Sequence, residues 1–186
     1  HLSICKDYQT GVAFDVKRKG CRILSKNKDC TIVEVRTFGA LLPNSHVSLS
    51  QSLSLQVRPS DTAFFRNKVA QVVKIVHQEL GFVETVNTTK QRTAYITVID
   101  KKIVGLVLAE SIAQQQARRY ENGVVGKVHD SSVKLGIQLL WVHQKHRQKH
   151  IGTKLIDAAR SNMVFGYTVL RNRVAFSSTT EAGLCF

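Results

Sequence analysis

The chain has 186 residues, enough for one domain with a sizeable core, and its 43% apolar and 22% charged residues are ordinary for a globular protein. Lysine and arginine number 27 against 13 acidic residues, a net charge of +14, which favours polyanions such as nucleic acid, acidic lipid, phosphorylated cofactors or acidic protein faces without choosing among them. No apolar run approaches the roughly 20 residues of a membrane-spanning helix, and "HLSICKDYQT" lacks a signal-peptide pattern, so no membrane partner is expected.

Residues 1–36 are basic and mixed. "CTIVEVR" (30–36) reads as a strand, with "KRKGCRIL" (17–24) as its partner through a turn near 26–29. Residues 37–60 hold both prolines and many serines, and read as a long loop or insertion, Ser-rich over 37–57. The expected division is therefore a β-rich N-terminal segment (1–60) and a core from 61 to 186. A helix follows, with Asp61 as cap, Val69, Val72, Val73, Val76 and Leu80 at helical spacing, and Gly81 as the stop. "TAYITVID" (93–100) and "IVGLVLAE" (103–110) flank a tight polar turn and predict an antiparallel hairpin. Residues 111–134 are polar and read as a mobile loop. "LGIQLLWVH" (135–143) reads as a central strand buried on both faces. A helix over 151–163 buries Ile151, Leu155, Ala158, Ala159 and Met163, and "GYTVL" and "VAFSS" are short strand candidates. This order suits a mixed α/β sandwich.

The join between that strand and the last helix, "HQKHRQKHIGTKLIDAAR" (143–160), crowds cations where the helix dipole is already positive. Such a start is locally unfavourable, which suggests that an anion occupies it. The unpaired N–H groups of a first helical turn bind phosphate oxygens, Gly152 and Thr153 permit close approach, and Lys145, Arg147 and Lys149 supply charge. A solvated basic face is the competing reading.

The spacing of "RQKHIG" (147–152) resembles the Q/R-x-x-G-x-G/A motif of the GNAT acetyltransferase superfamily, with His150 at the first glycine. "GIQLLWV", "RQKHIGTKLIDAARSNMVFG" and "VAFSS" resemble the cohesion-establishment acetyltransferases, as do "KVAQVVKIVHQELGF" (68–82) and "DKKIVGLVLAESI" (100–112). The likeness spans roughly residues 61–180. It implies a GNAT fold, a mixed sheet flanked by helices, with the family's closing strand falling beyond Phe186. It implies acetyl-CoA as cosubstrate, the thioester on the backbone of Leu140, Trp141 and Val142, and the pyrophosphate at Arg147, Gln148, Lys149, His150, Ile151, Gly152 and Thr153, with Thr180 a further contact. It implies acetylation of lysines on the ATPase head of a cohesin subunit, in the nucleus and on chromosomes, in sister-chromatid cohesion and DNA repair. Asp157 stands where relatives carry a glutamate proposed for catalysis. In "SSTTEAG" (177–183), Ser178 and Ala182 replace the family's aspartates, while Thr180 and Gly183 match.

Relatives also carry a zinc finger upstream. Cys5, Cys21, Cys30 and Cys185 form no CxxC pair, so reduced thiols are expected and zinc only with a finger outside this chain. His1 reads as a fragment end. His77 is expected on an exposed helix face and His46 and His129 in loops. His143, His146 and His150 lack ligand neighbours at metal spacing, so no metal site is expected. Trp141 reads as core. Two further readings stay open: a catalytically weak or inactive relative that binds coenzyme A or cohesin, and a basic nucleic-acid-binding module, the latter poorly served by 7% aromatic residues.

Overall fold

A computed structural model describes residues 9, 11–14, 22–26, 31–37, 59–80, 92–112, 118–121, 124–129 and 131–177. In chain order the elements are β1 (Val12–Ala13), β2 (Arg22–Lys26), β3 (Thr31–Thr37), α1 (Pro59–Leu80), β4 (Arg92–Ile99) and β5 (Lys102–Ser111). Then come β6 (Arg118–Glu121), β7 (Val124–His129), β8 (Leu135–Val142), a 3-10 turn (Gln144–His146), α2 (Ile151–Asn162), a second 3-10 turn (Arg171–Arg173) and β9 (Val174–Phe176).

Seven strands form one sheet in the order β2-β3-β4-β5-β8-β9, with β1 beside the start of β5. The pairs are antiparallel except β8 with β9, which run parallel. The β4–β5 hairpin appears as expected. Asp100 (φ 50) and Lys101 (φ 59) are both left-handed, the geometry whose twist matches paired strands. β2 and β3 pair as the sequence indicated, and β3 pairs along its whole length with β4. One sheet thus crosses the boundary drawn at residue 60.

The helices cover opposite faces. Val69, Val72, Ile75 and Val76 of α1 pack with Ile96, Ile103, Leu106 and Trp141. Ile151, Leu155, Ile156 and Ala159 of α2 pack with Tyr95, Val104, Val107, Leu135 and Ile137. Gly105 lets α2 approach, since a Cβ there would lie 3.0 Å from both Ile151 Cγ2 and Leu155 Cδ1.

Several expectations need correction. Residues 111–134 are not one loop: β6 and β7 form an antiparallel ribbon, and His129 ends β7. Polar composition hid it, although Asn122–Gly123, between the strands, is the strongest short hairpin signal a sequence carries. Helix α1 begins at Pro59 rather than at an Asp61 cap, because a first helical residue needs no N–H partner. "GYTVL" forms no strand. Val169 is instead tied to α2, its N–H donating to the Arg160 carbonyl at 3.0 Å and its carbonyl accepting from Arg160 Nε at 2.7 Å. β8 is buried over its first three residues and partly exposed from Gln138 to Leu140 and at Val142, so it is not enclosed on both faces throughout. His77 is half-buried rather than exposed. Cys5, Cys21, Cys30, Cys185, His1, His46 and most of the Ser-rich stretch lie outside the described residues.

Candidate functional site

The site begins with one extra residue in β8. Leu108 of β5 faces Leu139 while Ala109 faces Ile137, so Gln138 is a bulge. A bulge inverts the alternation of a strand. Leu135 and Ile137 pack with the α2 cluster, whereas beyond the bulge Leu139 and Trp141 pack with the α1 cluster and Leu140 and Val142 with the α2 cluster.

The same inversion turns the backbone. Before the bulge, the Ile137 carbonyl accepts from the Ser177 N–H on the β9 side, at 2.9 Å. After it, the His143 N–H donates to Val104 of β5 at 2.8 Å, so by alternation Trp141 also faces β5 and Leu140 and Val142 face away. β9 pairs with β8 only over residues 135–137. Ser177 Oγ donates to the Gln138 carbonyl at 2.9 Å and closes that pairing. Beyond it, no described strand covers the Leu140–Val142 edge. The Val142 carbonyl there accepts from Arg147 Nε, and backbone groups left without a strand partner accept an extended ligand as an added strand.

The edge leads straight into the basic turn. His143 Nδ1 accepts from the Lys145 N–H at 3.3 Å and caps the short 3-10 segment. Gln148 (φ 61) and His150 (φ 56) then take the left-handed conformation. That conformation costs a residue with a Cβ roughly 1–2 kcal/mol, which explains why the related motif carries glycine at the second of these positions. His150 is the N-cap of α2, makes no side-chain capping bond, and no acidic residue stands in the first turn. The first amides of α2 thus stay open toward an anion, with Lys145, Lys149 and Lys154 exposed nearby.

Arg147 behaves differently from the other cations. Its Nη2 pairs with Glu79 Oε1 of α1, and its Nε donates to the Val142 carbonyl at 3.0 Å. Glu79 Oε2 also accepts from Trp141 Nε1 at 2.8 Å. Glu79 escaped sequence reasoning because nothing local marks a late-helix glutamate as the partner of residues 62 and 68 positions away.

Asp157 lies about 9 Å along α2 from its first residue, by the helical rise. Its Oδ1 accepts from Arg160 Nη1 at 2.5 Å and its Oδ2 from Arg171 Nη2 at 3.5 Å. Each oxygen thus meets a guanidinium on a side chain that stays 41% exposed. Thr180, Ser178 and Ala182 lie outside the described residues. His146 packs edge-on to the buried His143, 5.9 Å between ring centres. Burial first, then Lys149, His143 and Lys145, push its pKa below the ordinary 6.5, opposed by Asp100. Among the described residues no group of three or more His, Cys, Asp or Glu is set to hold a metal ion, and no helix is long and apolar enough to cross a membrane.

The structure thus joins Leu140, Val142, Gln148, Lys149, His150, Ile151, Gly152 and Thr153 along one path. It directs the backbone of Trp141 to β5 and the side chain of Arg147 to Glu79, and sets Asp157 further along α2.

A mixed sheet with helices on both faces, split beside a bulged strand that feeds an uncapped helix, defines a GNAT-like acyltransferase fold. The xEco2 acetyltransferase domain matches it with a TM-score of 0.64 at 24% identity, covering 91% of this chain and 89% of that one. A second structure of that domain, bound to a CoA conjugate, matches with the same TM-score over 87% of each chain.

Residues 131–186 match the family model described as ESCO1/2 acetyl-transferase. N-acetyltransferase ECO1 of Yarrowia lipolytica is 33% identical over 116 residues, 62% of this chain and 42% of the relative. N-acetyltransferase ESCO2 of Homo sapiens is 31% identical over 147 residues, 70% of this chain and 24% of the relative. N-acetyltransferase ECO1 of Saccharomyces cerevisiae is 26% identical over 182 residues, 85% of this chain and 64% of the relative. The chain thus spans from about a quarter to about two thirds of the length of these relatives.

Proposed function

We propose that the chain is a protein-lysine N-acetyltransferase that uses acetyl-CoA and acts on the ATPase head of a cohesin subunit. The observation that carries the acyl-transfer reading is continuity: the open edge of Leu140 and Val142 runs directly into the uncapped first turn of α2. A pantetheine arm adds to that edge as a strand would, and its diphosphate meets the amides of Ile151, Gly152 and Thr153. The names of the relatives support the same activity. The cohesin substrate, the nuclear and chromosomal setting and the role in sister-chromatid cohesion rest on the resemblance to cohesion-establishment acetyltransferases. Chromatin association follows from the substrate, and the net charge of +14 suits direct contact with nucleic acid as well.

In the reaction a neutral lysine amine attacks the thioester carbonyl. The C–N bond forms, the C–S bond breaks, coenzyme A leaves as thiolate, and the amine proton passes to a base. Deprotonating a free lysine at pH 7 costs roughly 4–5 kcal/mol, so a positioned acceptor accelerates the step. Asp157 fills that role in this reading, acting once the acceptor peptide loosens its arginine contacts.

A second reading has an observation of its own. With Asp157 held by Arg160 and Arg171, and Ser178 and Ala182 where the family has aspartates, a weakly active relative that binds coenzyme A or cohesin fits the same fold. Mass spectrometry of a cohesin head incubated with the protein and isotope-labelled acetyl-CoA separates the two. Labelled lysine supports the transferase. Coenzyme A binding without label supports the binding protein. Stabilisation by duplex DNA but not by coenzyme A overturns both.

A further inference from the structure

The Glu79 side chain is 10% exposed and stands in the last turn of α1, where the helix dipole disfavours a carboxylate. A carboxylate withdrawn from water in such a place needs strong partners. It has two, and both adjoin the cofactor path. Oε2 accepts from the Trp141 indole at 2.8 Å, and Oε1 pairs with Arg147, whose Nε holds the Val142 carbonyl at 3.0 Å. One side chain therefore ties α1 to the end of β8 and to the first residue of the turn that precedes α2.

That turn does not hold itself. Gln148 and His150 are left-handed without being glycine, and such conformations persist only where surrounding structure imposes them. Its neighbours Lys145 and Lys149 add positive charge. Among the described residues, Glu79 is the anion that the turn's first residue meets. The Val142 carbonyl, moreover, points to the open edge, and the Arg147 contact fixes which of that edge's groups a ligand meets.

We propose that Glu79 is a positioning residue for acyl-CoA binding. Acting through Arg147, it holds the 147–150 turn and the Val142 carbonyl in the geometry that aims the first amides of α2 at the diphosphate. Arg147 then serves as a strut and not as a phosphate ligand. The inference rests on the acyl-CoA reading above.

Calorimetric titration of the full chain with coenzyme A tests it, using wild type, Glu79→Gln, Arg147→Gln and the double variant. The emission of Trp141, the one tryptophan of the chain, follows the clamp in each protein. Loss of the charge-assisted pair is expected to weaken coenzyme A binding about tenfold in either single variant. The double variant is expected to bind no more weakly than the singles, because both act through one contact. Glu79→Gln is expected to shift the Trp141 emission, and Arg147→Gln to leave it near wild type. Unchanged affinity in the single variants with a lowered melting temperature, or losses that multiply in the double variant, overturns the proposal. Should Glu79→Gln fail to fold, Arg147→Lys, which keeps the charge but loses the fork to Val142, is expected to show the tenfold loss, and wild-type affinity there overturns the proposal. A wild type that does not bind coenzyme A overturns the acyl-CoA reading and this role with it. A wild type that binds, with variants its equal, overturns the positioning role alone.

Discussion

Replacing Gly105 with valine perturbs the closest approach between α2 and the sheet. The position lies in the middle of β5, and its absent side chain is what lets Ile151 and Leu155 sit directly over the strand. A single added Cβ would stand 3.0 Å from Ile151 Cγ2, 3.0 Å from Leu155 Cδ1 and 3.4 Å from Thr97 Cβ. Two of those atoms are side-chain tips that yield by a few tenths of an ångström. Alanine also restricts the unfolded chain, which returns about 0.4–1 kcal/mol, so Gly105→Ala is expected to be nearly neutral. Valine adds two further methyl groups to a layer in which Leu155 and Val107 are already fully buried. Overpacking of that size costs about 1–3 kcal/mol, and about 2 kcal/mol lowers the melting temperature of a chain this long by about 4–8 °C. The strain falls on Ile151, the first residue of α2, and thus on the amides proposed to hold the diphosphate. Coenzyme A affinity is expected to fall about tenfold, equivalent to about 1.4 kcal/mol. Thermal melts by circular dichroism and calorimetric titration, with Gly105→Ala as control, measure both quantities. If Gly105→Val melts with wild type and binds with wild-type affinity, the height of α2 above β5 does not set the binding turn.

Other outcomes follow from the same geometry. His150→Val is expected to lose about 1–2 kcal/mol and to weaken coenzyme A binding, since a β-branched residue tolerates φ 56 poorly, whereas His150→Gly is expected to keep stability near wild type; chemical denaturation checks both. Asp157→Asn is expected to slow acetyl transfer by about 100-fold or more while coenzyme A still binds, and a full rate in that variant removes Asp157 as the proton acceptor. His146 has a folded pKa below 6.5, so the unfolded chain binds its proton more readily. Its contribution is fully present above that value and is lost as pH falls through the lowered one. Melting temperatures should therefore drop between about pH 7 and pH 5 by more in wild type than in His146→Gln, and equal drops would contradict this origin.

Local patterns carried much of this fold. The hairpin of β4 and β5 was legible because apolar, β-rich runs flank a two-residue polar turn, and α2 because Ile151, Leu155 and Ala159 recur at helical spacing. The basic turn was legible as a charge anomaly at a helix start. The bulge at Gln138 was not, since a bulge is a relation between two strands and Gln138 looks ordinary within its own. For the same reason the sequence did not reveal that Leu140 and Val142, and not Trp141, present the open backbone. Arg147 reads as one more cation until the structure sets Glu79 beside it across 68 residues. The β6–β7 ribbon failed differently: its polar composition outweighed an Asn-Gly signal that was there to read.

The most direct measurement is the amide proton–nitrogen spectrum of the labelled chain during titration with coenzyme A. The largest shifts are expected at Ile151, Gly152 and Thr153, where diphosphate would meet the opening turn of α2, and at Leu140 and Val142, where the arm would add to β8. Shifts confined to other parts of the sheet, or none at saturating ligand, would contradict the claim that these amides bind an acyl-CoA diphosphate.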